Sequence, residues 1–494
     1  MRGIRLLAGA LGIALLGASP APIVEPPLAG TAWTAADIVK LDRDLESLFE
    51  ASSALRGAHY GVLAIDTASG AVLYEHGADD EIQPASTLKL LVGSTALERL
   101  GPGFRFRTTV SAATGGVVIR AGGDPFLSAA DLDEAARAVA AAGIRTLATV
   151  AVDASHDDSK PYPDGWTWDD FAEDYAPHVS AIALEENLLH LSVSPGSAAG
   201  SAAEVSAASV ATVLGPGAPC DARAPATAVL ALATTGPGAS EDTIDAALDP
   251  AGCLAVVGSI PLGHATESLD AAVYDPVFYA RTSFAAALRR AGVALPATLD
   301  GDDRTGPPDP AAAPLWEHRS PALAAFLGPR FWIPSDNLTG ELLLKELGFA
   351  ATGAAGTTAA GVASEKAWLR SIGVDPATVT LADGCGMSQY DRITPRDLVA
   401  ILQHDWNGPN RQLVLDSLPV GGARGTIEGI AGTPAAGRVF AKTGSMMHVR
   451  GLAGFLATER HGAVTFAFNV DDWNGDYPAL ASLRAQVLSR IVND

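Results

Sequence analysis

Tyr60-Gly-Val-Leu-Ala-Ile-Asp66, Thr67-Ala-Ser-Gly70 and Ala71-Val-Leu-Tyr74 read in turn as a strand, a tight turn and a second strand. Downstream of this hairpin, Ser86-Thr-Leu-Lys89 opens a helical pattern that runs to about Leu100 and stops at Gly101-Pro102-Gly103. Near the other end of the chain, Gly437-Arg-Val-Phe-Ala-Lys442, Gly451-Leu-Ala-Gly-Phe-Leu456 and Ala463-Val-Thr-Phe-Ala-Phe-Asn-Val470 read as antiparallel strands. Residues 477–492 close the chain as a helix. Two strands at the start and three at the end predict one five-stranded sheet built from both ends of the chain. The expected fold class is α/β (α+β): an antiparallel sheet flanked by helices and interrupted by a long insertion.

Working outward, residues 35–55 carry Ile38, Leu41, Leu45 and Leu48 at helical spacing. Residues 337–347 and 394–402 also read as helices. The texture changes over 107–308. Short apolar strands such as Val117-Val-Ile-Arg120 and Leu147-Ala-Thr-Val-Ala-Val152 alternate there with Ala/Gly/Ser-rich connections. This reads as a largely β accessory region of two modules without a fixed-period repeat. A Pro/Asp-rich return linker over 302–314 follows it. The expected division is a catalytic first part at 34–107, an insertion at 108–308 and a catalytic second part at 309–494.

At 494 residues the chain is too long for one ordinary core. Apolar residues make up 48% and charged residues 18%, the balance of a packed globular protein. Acidic residues outnumber basic ones 56 to 33, a formal charge of −23. That excess disfavours nucleic acid and anionic lipid as partners. Arg2 and Arg5, an apolar run over 6–16 and the small residues Gly17-Ala-Ser-Pro-Ala21 have the order of a secretory signal. The run is too short to span a bilayer, so 1–21 is expected to be a removed leader, with no stable transmembrane anchor and an exported location. A retained lipid-inserted anchor is the alternative. Of the three cysteines, Cys220 and Cys253 form the plausible disulfide pair, and three unpaired thiols are the other reading. No Cys/His spacing suggests zinc, and no metal or cofactor is expected.

Three short motifs carry chemistry. In Ser86-Thr-Leu-Lys89, the only Ser-x-x-Lys of the chain, a lysine three residues after a serine lies on the same helical face. A serine hydroxyl is a poor nucleophile until a base takes its proton, and a lysine serves only if its surroundings keep it partly neutral. In Ser335-Asp336-Asn337, the hydroxyl can relay a proton and the amide can orient Lys89 and bind a substrate carbonyl. In Lys442-Thr443-Gly444, at the end of a strand, a sheet rim can hold an extended peptide and its carboxylate, with Gly444 permitting close approach. The N–H groups of Ser86 and Ser445 are candidates for an oxyanion hole. Each motif alone also reads as a helix cap or a solvated surface charge. The ordered set is far more specific.

With Ala121-Gly-Gly-Asp-Pro125, Gly165-Trp-Thr-Trp-Asp-Asp170, Asp383-Gly-Cys-Gly-Met-Ser388 and Ala441-Lys-Thr-Gly-Ser445, the chain resembles the class C, type-4 low-molecular-mass penicillin-binding proteins. Ser335 lies 249 residues after Ser86, a spacing similar to that family, which carries inserted domains there. The resemblance implies a D-alanyl-D-alanine carboxypeptidase/endopeptidase acting on peptidoglycan stem peptides and inhibited by β-lactams. It implies Ser86 as acylated nucleophile, Lys89 as base, Ser335 and Asn337 as partners in proton transfer and binding, and Lys442 with Thr443 at the terminal carboxylate. It also implies that Trp168 and Asp169 recognise the peptide side chain, Asp169 suiting the ammonium of a diaminopimelate residue. A buried Trp pair with capping aspartates is the other reading of that loop. Cys385 departs from the family, which usually has serine there. No deacylating glutamate is evident, Glu185-Glu186-Asn187 having the wrong context, which implies slow β-lactam release. A β-lactamase-like or D-amino-acid esterase/peptidase activity and a non-catalytic cell-wall binding protein remain the alternatives.

Overall fold

The computed structural model describes residues 21–494 except 209, 216–227, 250–252, 298–312, 428, 474 and 476. The leader up to residue 20, Cys220 and most of the expected linker over 302–314 lie outside the described residues. Strands β1 (His59–Asp66) and β2 (Val72–His76) form the expected hairpin, and β3 (Val439–Met446), β4 (Val449–Ala457) and β5 (Ala463–Asp471) form a meander. The two ends of the chain meet where β1 pairs antiparallel with β5, from His59 opposite Asp471 to Asp66 opposite Val464. The sheet order is β3-β4-β5-β1-β2.

Every residue of β5 is buried, as expected of a strand covered on both faces. On one face Val464, Phe466, Phe468 and Val470 pack with helices α1 (Ala35–Ala51) and α6 (Tyr477–Val492). Thr34 and Asp37 cap α1 reciprocally, and Leu41, Leu45 and Phe49 form its buried stripe. The opposite face is covered by α2 (Lys89–Arg99), α3 (Asn337–Thr352), α4 (Thr358–Ser371) and α5 (Pro395–Asn407). α2 and α3 are buried over most of their circumference, polar residues such as Lys89, Ser94, Glu341 and Lys345 included, and sit at the centre of this layer.

The insertion is largely β. Its four-stranded sheet runs Trp316–Arg319, Arg107–Ala113, Gly116–Arg120, Thr149–Asp153, so the return segment closes against the outgoing one. A three-stranded and another four-stranded sheet follow, and one apolar core unites them. Two helices, Ala129–Ala141 and Pro276–Arg290, stand where the sequence suggested only small-residue connections. Alanine is the best helix former, and the first of these helices adds a Ser128/Asp131 capping box and a buried Leu132, Ala135, Ala136, Val139 stripe. Cys253 is disulfide-bonded and Cys385 is a free, buried thiol. No helix among the described residues is long and apolar enough to cross a membrane.

Candidate active site

Ser86 lies on a single 3₁₀ turn, Ala85–Leu88, that runs directly into α2. Ala85 is held at φ 46°, a left-handed conformation uncommon for a residue with a Cβ. Two glycines from distant segments clamp this turn. A Cβ on Gly386 would overlap the Ala85 carbonyl oxygen, and one on Gly444 would lie 2.6 Å from the Pro84 carbonyl oxygen. Thr87 ties the turn down by donating to Pro84 O and accepting from Asn469 of β5.

The α-helix proper begins at Lys89, and the tighter turn before it brings Ser86 back against the lysine. Lys89 Nζ donates to Ser86 Oγ at 2.8 Å, Asn337 Oδ1 at 2.6 Å and the Cys385 carbonyl at 2.7 Å. All three hydrogens of a fully buried ammonium are therefore placed. Burial pushes the lysine below its ordinary value, against the opposing pull of Cys385, Asp383, Asp336 and Glu341. Glu341 offers little of that pull at neutral pH, because burial beside Asp383 raises its carboxyl to about 8 and keeps it mostly protonated.

Asp336 caps α3 by accepting from Thr339 N at 2.7 Å, which leaves the Ser335 hydroxyl free of that task. Ser335, at φ 67°, accepts instead from Lys442 Nζ at 2.8 Å. Lys442 is also fully buried, and its ammonium additionally reaches the Thr443 carbonyl at 2.9 Å. Its charge is thus offered to a ligand through Ser335. Burial, and then the proximity of Lys89, pushes Lys442 well below its ordinary value. Two buried amines that close favour a neutral state for at least one of them.

The free edge of the sheet completes the site. The Ala441 N–H points away from β4, to Pro419 O at 3.0 Å. By the two-residue strand period, the N–H groups of Thr443 and Ser445 point to the same side. Past Pro419 that edge is open to a peptide added as a further strand, beside the Ser86 turn.

The model of the D-Ala-D-Ala carboxypeptidase 3 (S13) family matches residues 41–489, both halves of the sheet and the insertion included. The chain belongs to this family. It is 33% identical over 473 residues to the D-alanyl-D-alanine carboxypeptidase of Actinomadura sp. (strain R39), covering 90% of this chain and 82% of that one. It is 24% identical over 433 residues to penicillin-sensitive carboxypeptidase A of Dictyostelium discoideum, covering 82% and 80%. The solved structure of penicillin binding protein 4 from Haemophilus influenzae shares the fold, with a TM-score of 0.77 at 21% identity over 91% of this chain and 100% of that one.

The Asp383–Ser388 segment, which the sequence marks as similar to the S13 family without revealing its task, is the support beneath Lys89. Asp383 accepts from the N–H groups of Cys385, Gly386 and Ser388 at 3.1, 2.6 and 2.6 Å, and from Trp166 Nε1 at 2.9 Å. These bonds curl the loop so that the Cys385 carbonyl faces the lysine. The Cys385 thiol is fully buried, and burial beside Asp383 and Glu341 raises it far above the ordinary thiol range. It is a packed, protonated group and a poor target for oxidation. Glu341, Asp383 and Cys385 place ligand-type atoms within 4.8 Å of one another, as do Asp242, His264 and Glu267 in the insertion. In the first set the backbone and Trp166 already occupy Asp383, and the thiol is protonated.

The tryptophan loop of this S13 protein docks on the same segment, with Ser388 Oγ donating to Asp164 O at 2.7 Å. Its two tryptophans part company. Trp166 is buried on Asp383, whereas Trp168 is 78% exposed and Asp169 beside it is exposed. Asp170 is engaged by Thr167 and Tyr175. Neither a buried pair nor a direct bond to the motif residues describes Trp168 and Asp169. They stand exposed at the surface of a loop whose Tyr175 carbonyl accepts from Asn337 Nδ2 at 2.7 Å. That carbonyl, the Cys385 carbonyl and the Met387 sulfur at 3.0 Å from Asn337 carry no side-chain signature of their role in sequence.

Proposed function

We propose that Ser86 is the nucleophile of this serine-type D-alanyl-D-alanine carboxypeptidase and that neutral Lys89 is its base. The observation that carries this reading is the fully buried Lys89 Nζ, shared among Ser86 Oγ, Asn337 Oδ1 and the Cys385 carbonyl. The peptide lies along the open edge of β3, with the carbonyl between its two D-alanines over Ser86. The Ser86 proton passes to Lys89 as Oγ bonds to the carbonyl carbon, and the N–H groups of Ser86 and Ser445 hold the developing oxyanion. When the C–N bond breaks, the leaving amine takes its proton through the Ser335–Lys442 pair. Water then hydrolyses the acyl-enzyme. Thr443 and Ser445 receive the terminal carboxylate, and Trp168 and Asp169 face the stem-peptide side chain. A penicillin completes acylation and stalls, since no deacylating carboxylate is evident beside Ser86 among the described residues.

Action on peptidoglycan cross-links as an endopeptidase, export to the cell envelope, and the division at 34–107, 108–308 and 309–494 belong to the same proposal. The Trp316–Arg319 strand is shared with the insertion's sheet. The test is incubation with a fluorescent penicillin and with a peptide ending in D-Ala-D-Ala, followed by intact mass and peptide mapping. A lasting adduct on Ser86 and release of D-alanine support the reading. Fast penicillin turnover without an adduct would instead mark a β-lactamase, and inertness toward both a binding protein.

Because Lys89 must be neutral to act, acylation should quicken with pH by about tenfold per unit and level off once the lysine is deprotonated. Burial lowers that lysine, so the plateau should begin below the ordinary 10.5. Stopped-flow acylation across pH checks this, and a midpoint at or above that value counts against Lys89 as base.

A further inference from the structure

On the α6 side of the sheet, Thr443 and Ser445 line a recess with Thr426, Leu452, Tyr477 and Arg484. Its free space is about 30 Å³, room for about two waters or the two oxygens of one carboxylate. Arg484 comes from α6, with its guanidinium lying over the Phe468 ring. The residue is partly exposed, but Nε and Nη2 are shut from solvent and have no hydrogen-bond partner among the described residues. In a chain with 56 acidic residues, a buried guanidinium without a described carboxylate is unexpected. Burial, with Arg450 nearby, pushes it down to about 10, which leaves it charged at neutral pH.

We infer that Arg484 is a specificity-determining residue that, with Thr443 and Ser445, holds the terminal carboxylate of the substrate or the equivalent carboxylate of a penicillin. The geometry supplies a charged donor of fixed fork shape beside Thr443 and Ser445, at the end of the strand along which the proposed peptide lies. It also assigns the charge that Lys442, buried behind Ser335, does not offer directly. The inference rests on acylation of Ser86 at this edge.

The experiment compares rate constants for acylation by a penicillin and by its methyl ester, which lacks the charge. The wild-type protein should prefer the free acid by about 30-fold or more. Arg484→Gln should lose most of that preference by slowing the acid alone, with the ester within about twofold of wild type. Arg484→Lys should recover part of it. An equal loss with both compounds, or no loss with either, overturns the inference in favour of a packing role. If the Gln variant does not fold, a wild-type preference below about threefold overturns it without a variant. A wild-type protein acylated by neither compound instead overturns the acyl-enzyme reading, and this inference with it.

Discussion

Lys89→Met is expected to slow acylation of Ser86 by a penicillin about 10³-fold while leaving the protein folded. Lys89 Nζ sits 2.8 Å from Ser86 Oγ and is the base that the mechanism uses. Methionine fills nearly the same volume and cannot accept a proton. The cost to stability is bounded by opposing terms. Asn337 Oδ1 and the Cys385 carbonyl lose a donor, about 1–3 kcal/mol each if nothing replaces it. Against this, the variant no longer buries an ammonium, a penalty of several kcal/mol. Acylation is read with a fluorescent penicillin, and folding by thermal unfolding on the same sample. A folded variant acylated within tenfold of wild type would remove Lys89 from the base's role.

Gly386→Ala is expected to cost roughly 2–4 kcal/mol of stability and about 10²-fold in acylation, although the residue touches no substrate. Gly386 adopts φ +85°, which alanine resists, and the new methyl would meet the Ala85 carbonyl oxygen. The atoms it meets first are backbone, the carbonyl oxygen and carbon of Ala85, so no flexible side chain can yield and the Ser86 turn must move. The nucleophile and one of the two oxyanion donors, the Ser86 N–H, share that turn, and a displacement of about 1 Å relative to β3 is enough for the expected loss. Urea unfolding gives the first quantity and acylation kinetics the second. Wild-type values in both would mean that the loop gives way freely and does not position Ser86.

Gly386 also shows where sequence reading stops. Asp383-Gly-Cys-Gly-Met-Ser388 stood out by resemblance, but its contribution is a backbone carbonyl aimed by four N–H donors, and no side-chain alphabet encodes that. Ser335 was ambiguous for a related reason. Serine and aspartate both cap helices, and only the Asp336 to Thr339 bond decides which one is left for chemistry. The insertion's helix Ala129–Ala141 is hard to read from sequence because an alanine-rich stretch reads as connection until burial shows which alanines face a core. The sheet strands were easier. Their apolar runs are bounded by turn residues, and strands buried on both faces have little else to be.

By itself the sequence determined the five strands, the flanking helices except α4 (Thr358–Ser371), and the three motifs with their order, because periodicity and local turn chemistry are properties of neighbouring residues. The tertiary structure decided how the ends of the chain join through β1 and β5, which hydroxyl is left free, and that Lys89 and Lys442 are both buried and close. It also placed Arg484 beside Thr443 and Ser445. The physical reason is that desolvation and charge proximity depend on residues far apart in the chain. A lysine's chemistry is therefore set by what folds over it rather than by its neighbours in sequence.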